Sequence, residues 1–251
     1  MKSKLFFFFK NKIVALLGIW FYKVNRLPVG THVYYFLKYR IKFDFNVIFD
    51  IGSNIGDTAA LYHHHFPKSQ LHCFEPFSST FKKLTGNLKG KDGLHFYQLA
   101  FGDKNEELIV PVKSDDLANV NTLKTETIAS PESMNKETLK VQTLDKFLEE
   151  HTNIKAIDLL KIDTEGFDLK VLSGAHQALS NLSVKMILTE VGFSKENKLH
   201  VHVCEMISFL EKYDYTFLGI FGMDVNNLHK RPQFGNVLFI HKSLVSKVVN
   251  A

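Results

Sequence analysis

Asp50-Ile-Gly-Ser-Asn-Ile-Gly-Asp-Thr58 is the stretch that most restricts what this chain can become. It follows the apolar run Asn46-Val-Ile-Phe49 and leads into a segment with helical spacing. A strand that ends in an acid, turns through glycines and enters a helix is built to hold a nucleotide-like cofactor. Gly52 and Gly56 let the backbone come close to a ligand, having no Cβ to block it. A dinucleotide loop reads G-x-G-x-x-G and cradles a pyrophosphate at the helix N-terminus. Here the pattern is D-x-G-x-N-x-G, with an acid two residues before the first glycine. A carboxylate there would repel a pyrophosphate and suit a cationic ligand. That directs the reading to S-adenosylmethionine, which carries an ammonium and a sulfonium. The expected cofactor contacts are Asp50, Gly52, Ser53, Asn54, Ile55, Gly56, Asp57 and Thr58.

Further strand ends fall in register with this loop. Leu71-His-Cys-Phe74 reads as the next strand and ends at Glu75-Pro76. Glu75 lies 23 residues after Gly52, about where doubly wound folds put the acid that accepts from ribose hydroxyls. A solvated strand-end acid is the alternative. Pro76 cannot continue a ladder and helps to end the strand. Leu94 to Ala100 predicts a third strand, with a turn at Phe101-Gly-Asp103 beside the adenine, so Ala100 and Phe101 join the candidates. Leu108-Ile-Val110 suggests a short extra hairpin, and the polar, aperiodic run from Lys113 to Lys140 predicts a long loop. Ile157-Asp-Leu-Leu-Lys-Ile162 reads as a hydrophobic strand closed by Asp163-Thr-Glu165, and a helix follows from Phe167 to Ala175. Met186-Ile-Leu-Thr-Glu190 again ends in an acid. Acids at four of five strand ends are not what strand propensity favours, and they mark a site.

These residues together resemble the FkbM family of S-adenosylmethionine-dependent methyltransferases. The matching stretches are Asp50 to Thr58, Phe74-Glu-Pro76, Leu99-Ala-Phe-Gly-Asp103 and Leu159-Leu-Lys-Ile-Asp-Thr-Glu-Gly-Phe-Asp168. The last is the most family-specific; Thr164 stands where the family more often has an aliphatic residue. The resemblance implies an α/β, Rossmann-like class I methyltransferase fold. Its sheet would have seven mostly parallel strands with the last antiparallel, helices on both faces, and Tyr215-Thr-Phe-Leu-Gly219 and Asn236-Val-Leu-Phe-Ile240 as its final two strands. Members mostly O-methylate sugars of surface glycans or hydroxyls of secondary metabolites, so a small-molecule or glycan acceptor is implied. N- or C-methylation on the same fold and a silent membrane-surface binding module are the rival readings.

Methyl transfer to an alcohol needs donor and acceptor held in line, and a base for the hydroxyl proton. Asp163, Glu165 and Glu190 are the candidate catalytic acids. Asp163 is the first choice as base, while Glu165 either orients the acceptor or caps the helix that follows. A divalent metal at Asp163 and Glu190 is conceivable, but nothing in the sequence demands one. His63-His-His65 cannot form one metal-binding face, because consecutive helical residues point in different directions. His200, His202 or His229 could bring a base from the later loops.

The charge is uneven. Residues 1–43 hold nine of the 31 Lys and Arg and none of the 26 Asp and Glu, which leaves 22 basic against 26 acidic in the rest. The chain therefore divides into a basic, aromatic-rich helical segment, 1–43, and a methyltransferase domain, 44–251. The apolar pieces Leu5 to Phe9 and Ile13 to Tyr22 each fall short of the roughly 20 residues that span a bilayer. Residues 1–22 could instead lie on an anionic membrane surface, or cap the core with solvated lysines. Nucleic acid is not an expected partner, because the Asp/Asn-Pro-Pro-aromatic tetrapeptide of base-reading methyltransferases is missing. Cys73 and Cys204 are far apart and lie in apolar segments, which predicts two buried free thiols. The expected compartment is the cytoplasm or the inner face of its membrane.

Overall fold

The computed structural model describes residues 30, 32–41, 43–112, 135–223 and 233–249. Helix α1, Val33–Tyr39, comes first. Strands and helices then alternate: β1 Val47–Ile51, α2 Asp57–His65, β2 Gln70–Phe74, α3 Ser78–Asn87 and β3 Leu94–Tyr97. Three strands break the alternation: β4 Ala100–Phe101, β5 Glu106–Val112 and β6 Asn135–Gln142. There follow α4 Leu144–Glu150, β7 Ile157–Ile162, α5 Asp168–Ser173, α6 His176–Ser180 and β8 Val184–Gly192. The last elements are α7 Val203–Leu210, β9 Tyr215–Phe221, β10 Phe234–His241 and α8 Lys242–Val249.

Among the described residues the main sheet has seven strands, ordered β3-β2-β1-β7-β8-β10-β9. β10 runs antiparallel to β8 and β9, and the other pairs are parallel, as the family resemblance implies. β7 is buried along its whole length: four of its six residues are apolar, and its two charges, Asp158 and Lys161, are ion-paired. One apolar layer joins Phe147, Val171, Leu179 and Met206 to the sheet; the other joins Leu37, Ala59, Tyr62, Leu84 and Leu244. Asp158 pins the amino end of β7. It accepts from the Asn46 and Val47 N–H groups at 2.7 and 2.9 Å and pairs with Lys185 at 2.6 Å. The strand order reverses between β1 and β7, and the crevice beyond their carboxyl ends is where such sheets bind ligands.

Three expectations need correction. The third strand does not run from Leu94 to Ala100: β3 stops at Tyr97, and Ala100–Phe101 joins a second, three-stranded sheet, β4-β6-β5. Residues 135–140 are strand rather than loop, because Leu139 and Val141 bury alternate positions against Ala100, Val110 and Phe167; residues 113–134 lie outside the described residues. The helix expected over Phe167 to Ala175 is α5, Asp168–Ser173, which stops at Gly174. Gly174 packs so close to the Gly102 carbonyl that a Cβ would stand 2.0 Å from that oxygen. Cys73 is buried as expected, whereas Cys204 is exposed.

Of the segment 1–43, α1 packs Phe36 and Leu37, and Ile41 just after it packs too, into the same layer as Ile48 of β1. Residues 1–22 lie outside the described residues. Among those described, no helix is long and apolar enough to cross a membrane.

Candidate active site

The glycine turn is clamped from two sides. The Gly52 and Ser53 N–H groups both donate to the Phe74 carbonyl at 3.0 Å, and the Asp163 N–H donates to the Ile51 carbonyl at 3.0 Å. Gly52 has φ +77°, and a Cβ there would meet the Asp163 carbonyl oxygen at 1.9 Å. Only glycine lets the ends of β1 and β7 approach this closely.

Beneath the turn lies a residue to which the sequence motifs assign no role. Lys161 is buried in β7, with its ammonium 2.9 Å from Asp50, 3.4 Å from Asp163 and 3.3 Å from the Gly52 carbonyl. Burial alone would lower its pKa; Asp50 and then Asp163 outweigh that and hold it above the ordinary lysine value. Asp50 is itself fully buried and points at Lys161, so its charge is met inside the protein. The sequence does carry a signal for it: a single lysine within a six-residue apolar strand has to be buried and paired.

Glu75 stands across the turn and is buried. Its carboxylate accepts from the Asn54 and Phe77 N–H groups, both at 3.1 Å. Burial pushes it up to about 7 against those two hydrogen bonds. Asn54 has left-handed backbone (φ 49°), and its buried Oδ1 has no hydrogen-bond partner. A cavity of about 220 Å³ is lined by Gly52, Ser53, Asn54, Ile55, Asp57, Thr58, Lys161 and Asp163. The Ala100 and Phe101 side chains turn into the core, Phe101 against Phe74 and Phe147. Gly56 begins α2, and the Pro76 carbonyl accepts from Gln98 at 3.4 Å.

The strand-end acids meet at the carboxyl ends of β7 and β8. Asp163 lies one residue past β7, and its side chain is 36 % exposed. Glu165 (φ 52°) occupies a left-handed conformation that costs energy without glycine and concentrates at functional sites. Glu190 pairs with His200 at 2.9 Å, and Glu165 is 4.0 Å from the same imidazole nitrogen. Burial, then the charges of Glu190 and Asp163, push Glu165 up to about 7. Burial alone would lower His200, but the hydrogen bond and charge of Glu190, helped by Glu165, hold it above its ordinary value. The ring also stacks on Phe234 and meets Asn197 through Nδ1. His200 thus joins the acids; His202 instead caps α7, and His229 lies outside the described residues. Glu165, Glu190 and His200 bring ligand atoms within 4.8 Å of one another, whereas Asp163 is turned to Lys161.

Asp168, the last residue of the family-specific stretch, is the tie behind this end. It accepts from Thr164 Oγ1 at 3.0 Å, the Gly166 N–H at 3.2 Å and Thr189 Oγ1 at 3.0 Å, stitching the turn to β8. Thr164 therefore adds a hydrogen bond that an aliphatic residue could not make.

Residues 50–217 match the Methyltransferase FkbM domain. The 2-O-methyltransferase NoeI of Sinorhizobium fredii is 27% identical over 155 residues, which cover 57% of this chain and 62% of the relative. The hexuronic acid methyltransferase AglP of Haloferax volcanii is 29% identical over 146 residues, covering 58% and 56%. The chain thus spans less than two thirds of the length of these curated relatives. Among solved structures, methyltransferase FkbM from Methylobacillus flagellatus shares the fold with a TM-score of 0.51. It is 15% identical, and the match covers 80% of this chain and 44% of that one.

Proposed function

The chain belongs to the FkbM methyltransferase family, and from that premise we propose that it methylates a sugar hydroxyl, as in a surface-glycan precursor, using S-adenosylmethionine. When bound, the cofactor supplies an electrophilic methyl on a sulfonium. The residues fit it: the orphan Asn54 Oδ1 and the Glu75 carboxylate flank the glycine turn, where an amine and ribose hydroxyls would find acceptors. O-methylation is supported by the likeness to NoeI, a 2-O-methyltransferase, and a sugar acceptor by the likeness to AglP, a hexuronic acid methyltransferase.

One observation carries the catalytic reading. Asp163 is the carboxylate shared by the loop cavity and a second cavity beside it. It is therefore the group best sited to take the acceptor's hydroxyl proton as the oxygen is methylated, since geometry ranks ahead of pKa in choosing a base. Lys161 fixes its orientation. Asp163→Asn should lower turnover by about 10²–10⁴-fold, the usual worth of a positioned base, while S-adenosylhomocysteine still binds. Full turnover in that variant, measured by product mass, would remove Asp163 from the role.

Glu75 predicts a pH dependence. The free protein holds the Glu75 proton up to about pH 7, and hydroxyls that donate to the carboxylate favour the ionised form. Cofactor binding should therefore release a proton, and affinity should rise about tenfold between pH 6 and 8. Folding runs the other way. With its folded pKa raised above the ordinary 4.5, Glu75 contributes stability below that value, which is lost as pH climbs to about 7. Calorimetry in two buffers reads the proton release; a Glu75→Gln protein with the same slope would refute the assignment.

A further inference from the structure

Beside the loop cavity lies another of about 210 Å³, and Thr58, Lys161 and Asp163 line both. Its remaining walls come from other parts of the chain. His32 and Tyr34 come from the entrance of α1, Tyr62 from α2, Phe221 from the end of β9 and Asn236 from β10. Asn236 is the register partner of Glu190, so it stands at the carboxyl end of the sheet with the strand-end acids.

Tyr62 is the informative wall residue. It is 1% exposed, and its hydroxyl has no hydrogen-bond partner. A buried phenol normally finds a partner, so an orphan that lines a cavity points to one supplied by a ligand. Tyr34 meets Tyr62 edge-on, with ring centroids 5.1 Å apart. Rings on several walls, with a hydroxyl, an amide and a carboxylate among them, suit a small ring that is apolar on its faces and hydroxylated at its edge. The volume is below the roughly 300–1,000 Å³ of drug-sized pockets, which leaves room for one ring and not a chain of them.

The charge selects further. Lys161 has three protons to donate, and Asp50, Asp163 and the Gly52 carbonyl lie within reach of all three. Two carboxylates against one ammonium leave this end of the cavity negative, and no arginine lines it among the described residues. A sugar carboxylate or phosphate would meet repulsion there, since among the described residues that line the cavity Lys161 is the one lysine or arginine and it is already paired.

We propose that this cavity is the acceptor subsite and that it takes a single uncharged sugar ring, with the Tyr62 hydroxyl and Asn236 as its contacts. The assignment rests on the methyltransferase reading of the loop cavity, and the test separates the two. Calorimetry first establishes S-adenosylhomocysteine binding to the full chain. The saturated protein is then titrated, by saturation-transfer NMR, with methyl glycosides of glucose, galactose, mannose, fucose and rhamnose, and with the glucuronide and galacturonide. At least one neutral glycoside should bind, and both uronides about tenfold more weakly or not at all. Tyr62→Phe and Asn236→Ala should each weaken the neutral sugar by about tenfold, the usual worth of one lost hydrogen bond to a buried group, with S-adenosylhomocysteine affinity unchanged. Loss of S-adenosylhomocysteine binding in the unaltered protein would overturn the cofactor reading itself. With that binding intact, the acceptor assignment alone falls if no neutral glycoside binds, if a uronide binds as well, or if both variants bind like the parent.

Discussion

Gly52→Ala should cost at least about 3 kcal/mol of stability, near the top of the range for single substitutions, and abolish binding of S-adenosylhomocysteine. Two effects add. The residue sits at φ +77°, where a Cβ adds about 1–2 kcal/mol of left-handed strain. Steric contact weighs more, since the new atom would lie 1.9 Å from the Asp163 carbonyl oxygen and 2.9 Å from its carbon. Neither is a side chain that can swing aside, so the ends of β1 and β7 must separate, and the cofactor loop with them. Gly90 provides the control. It has the same φ of +77° but nothing within 4 Å of its would-be Cβ, so Gly90→Ala should show the strain without the clash. Urea unfolding of both variants measures the difference. Equal losses would mean that the close approach at Gly52 has no energetic weight.

Lys161→Met should be nearly as severe, at about 3–5 kcal/mol, because it leaves a buried carboxylate with no counter-charge. Methionine fills a similar volume, so lost packing is not the cause. The Asp50 and Lys161 side chains are 0% and 4% exposed, so solvent cannot repair the break; Asp163, at 36%, is partly screened and adds little. Adding Asp50→Asn to Lys161→Met should recover much of the loss, since the orphaned charge is then gone. A double-mutant cycle by urea unfolding measures this coupling. If the double variant is no more stable than Lys161→Met alone, the loss has another origin.

The main sheet was largely legible because each of its inner strands is an apolar run stopped by a glycine, a proline or an acid. β7, buried end to end, could be read without its neighbours. β6 could not, for it shows only Leu139 and Val141 as buried apolar residues amid charge, and its pairing with β5 is a long-range fact. The break at Gly174 was equally hidden, since the reason for that glycine is the carbonyl of Gly102, far earlier in the chain.

At the site, residue types were easier to see than their partners. Asp50 could be read as an acid beside the cofactor, but not as one already neutralised by Lys161. That pairing moves the attraction for a cation away from Asp50 and onto whatever remains exposed, chiefly Asp163. His200 was one of three candidates, and only the turn after β8 distinguishes it, by carrying the ring to Glu190 and Glu165. Tyr34, Tyr62 and Asn236 carry no motif at all; they are functional candidates only because α1, α2 and β10 converge above the sheet.

The strand order also dictates a timetable. β9 is made before β10, yet among the described residues it is bonded to the sheet through β10 alone, which lies between it and β8. During synthesis, therefore, β9 and the outer edge of β8 both wait, unpaired, until residues 234–241 have emerged. An exposed strand edge is a template for pairing with other chains, so this interval is a window of aggregation risk for the nascent protein. Asn236 arrives with the strand that closes that window. Completion of the sheet and of the acceptor cavity is thus one event, and a chain interrupted before it would lack both.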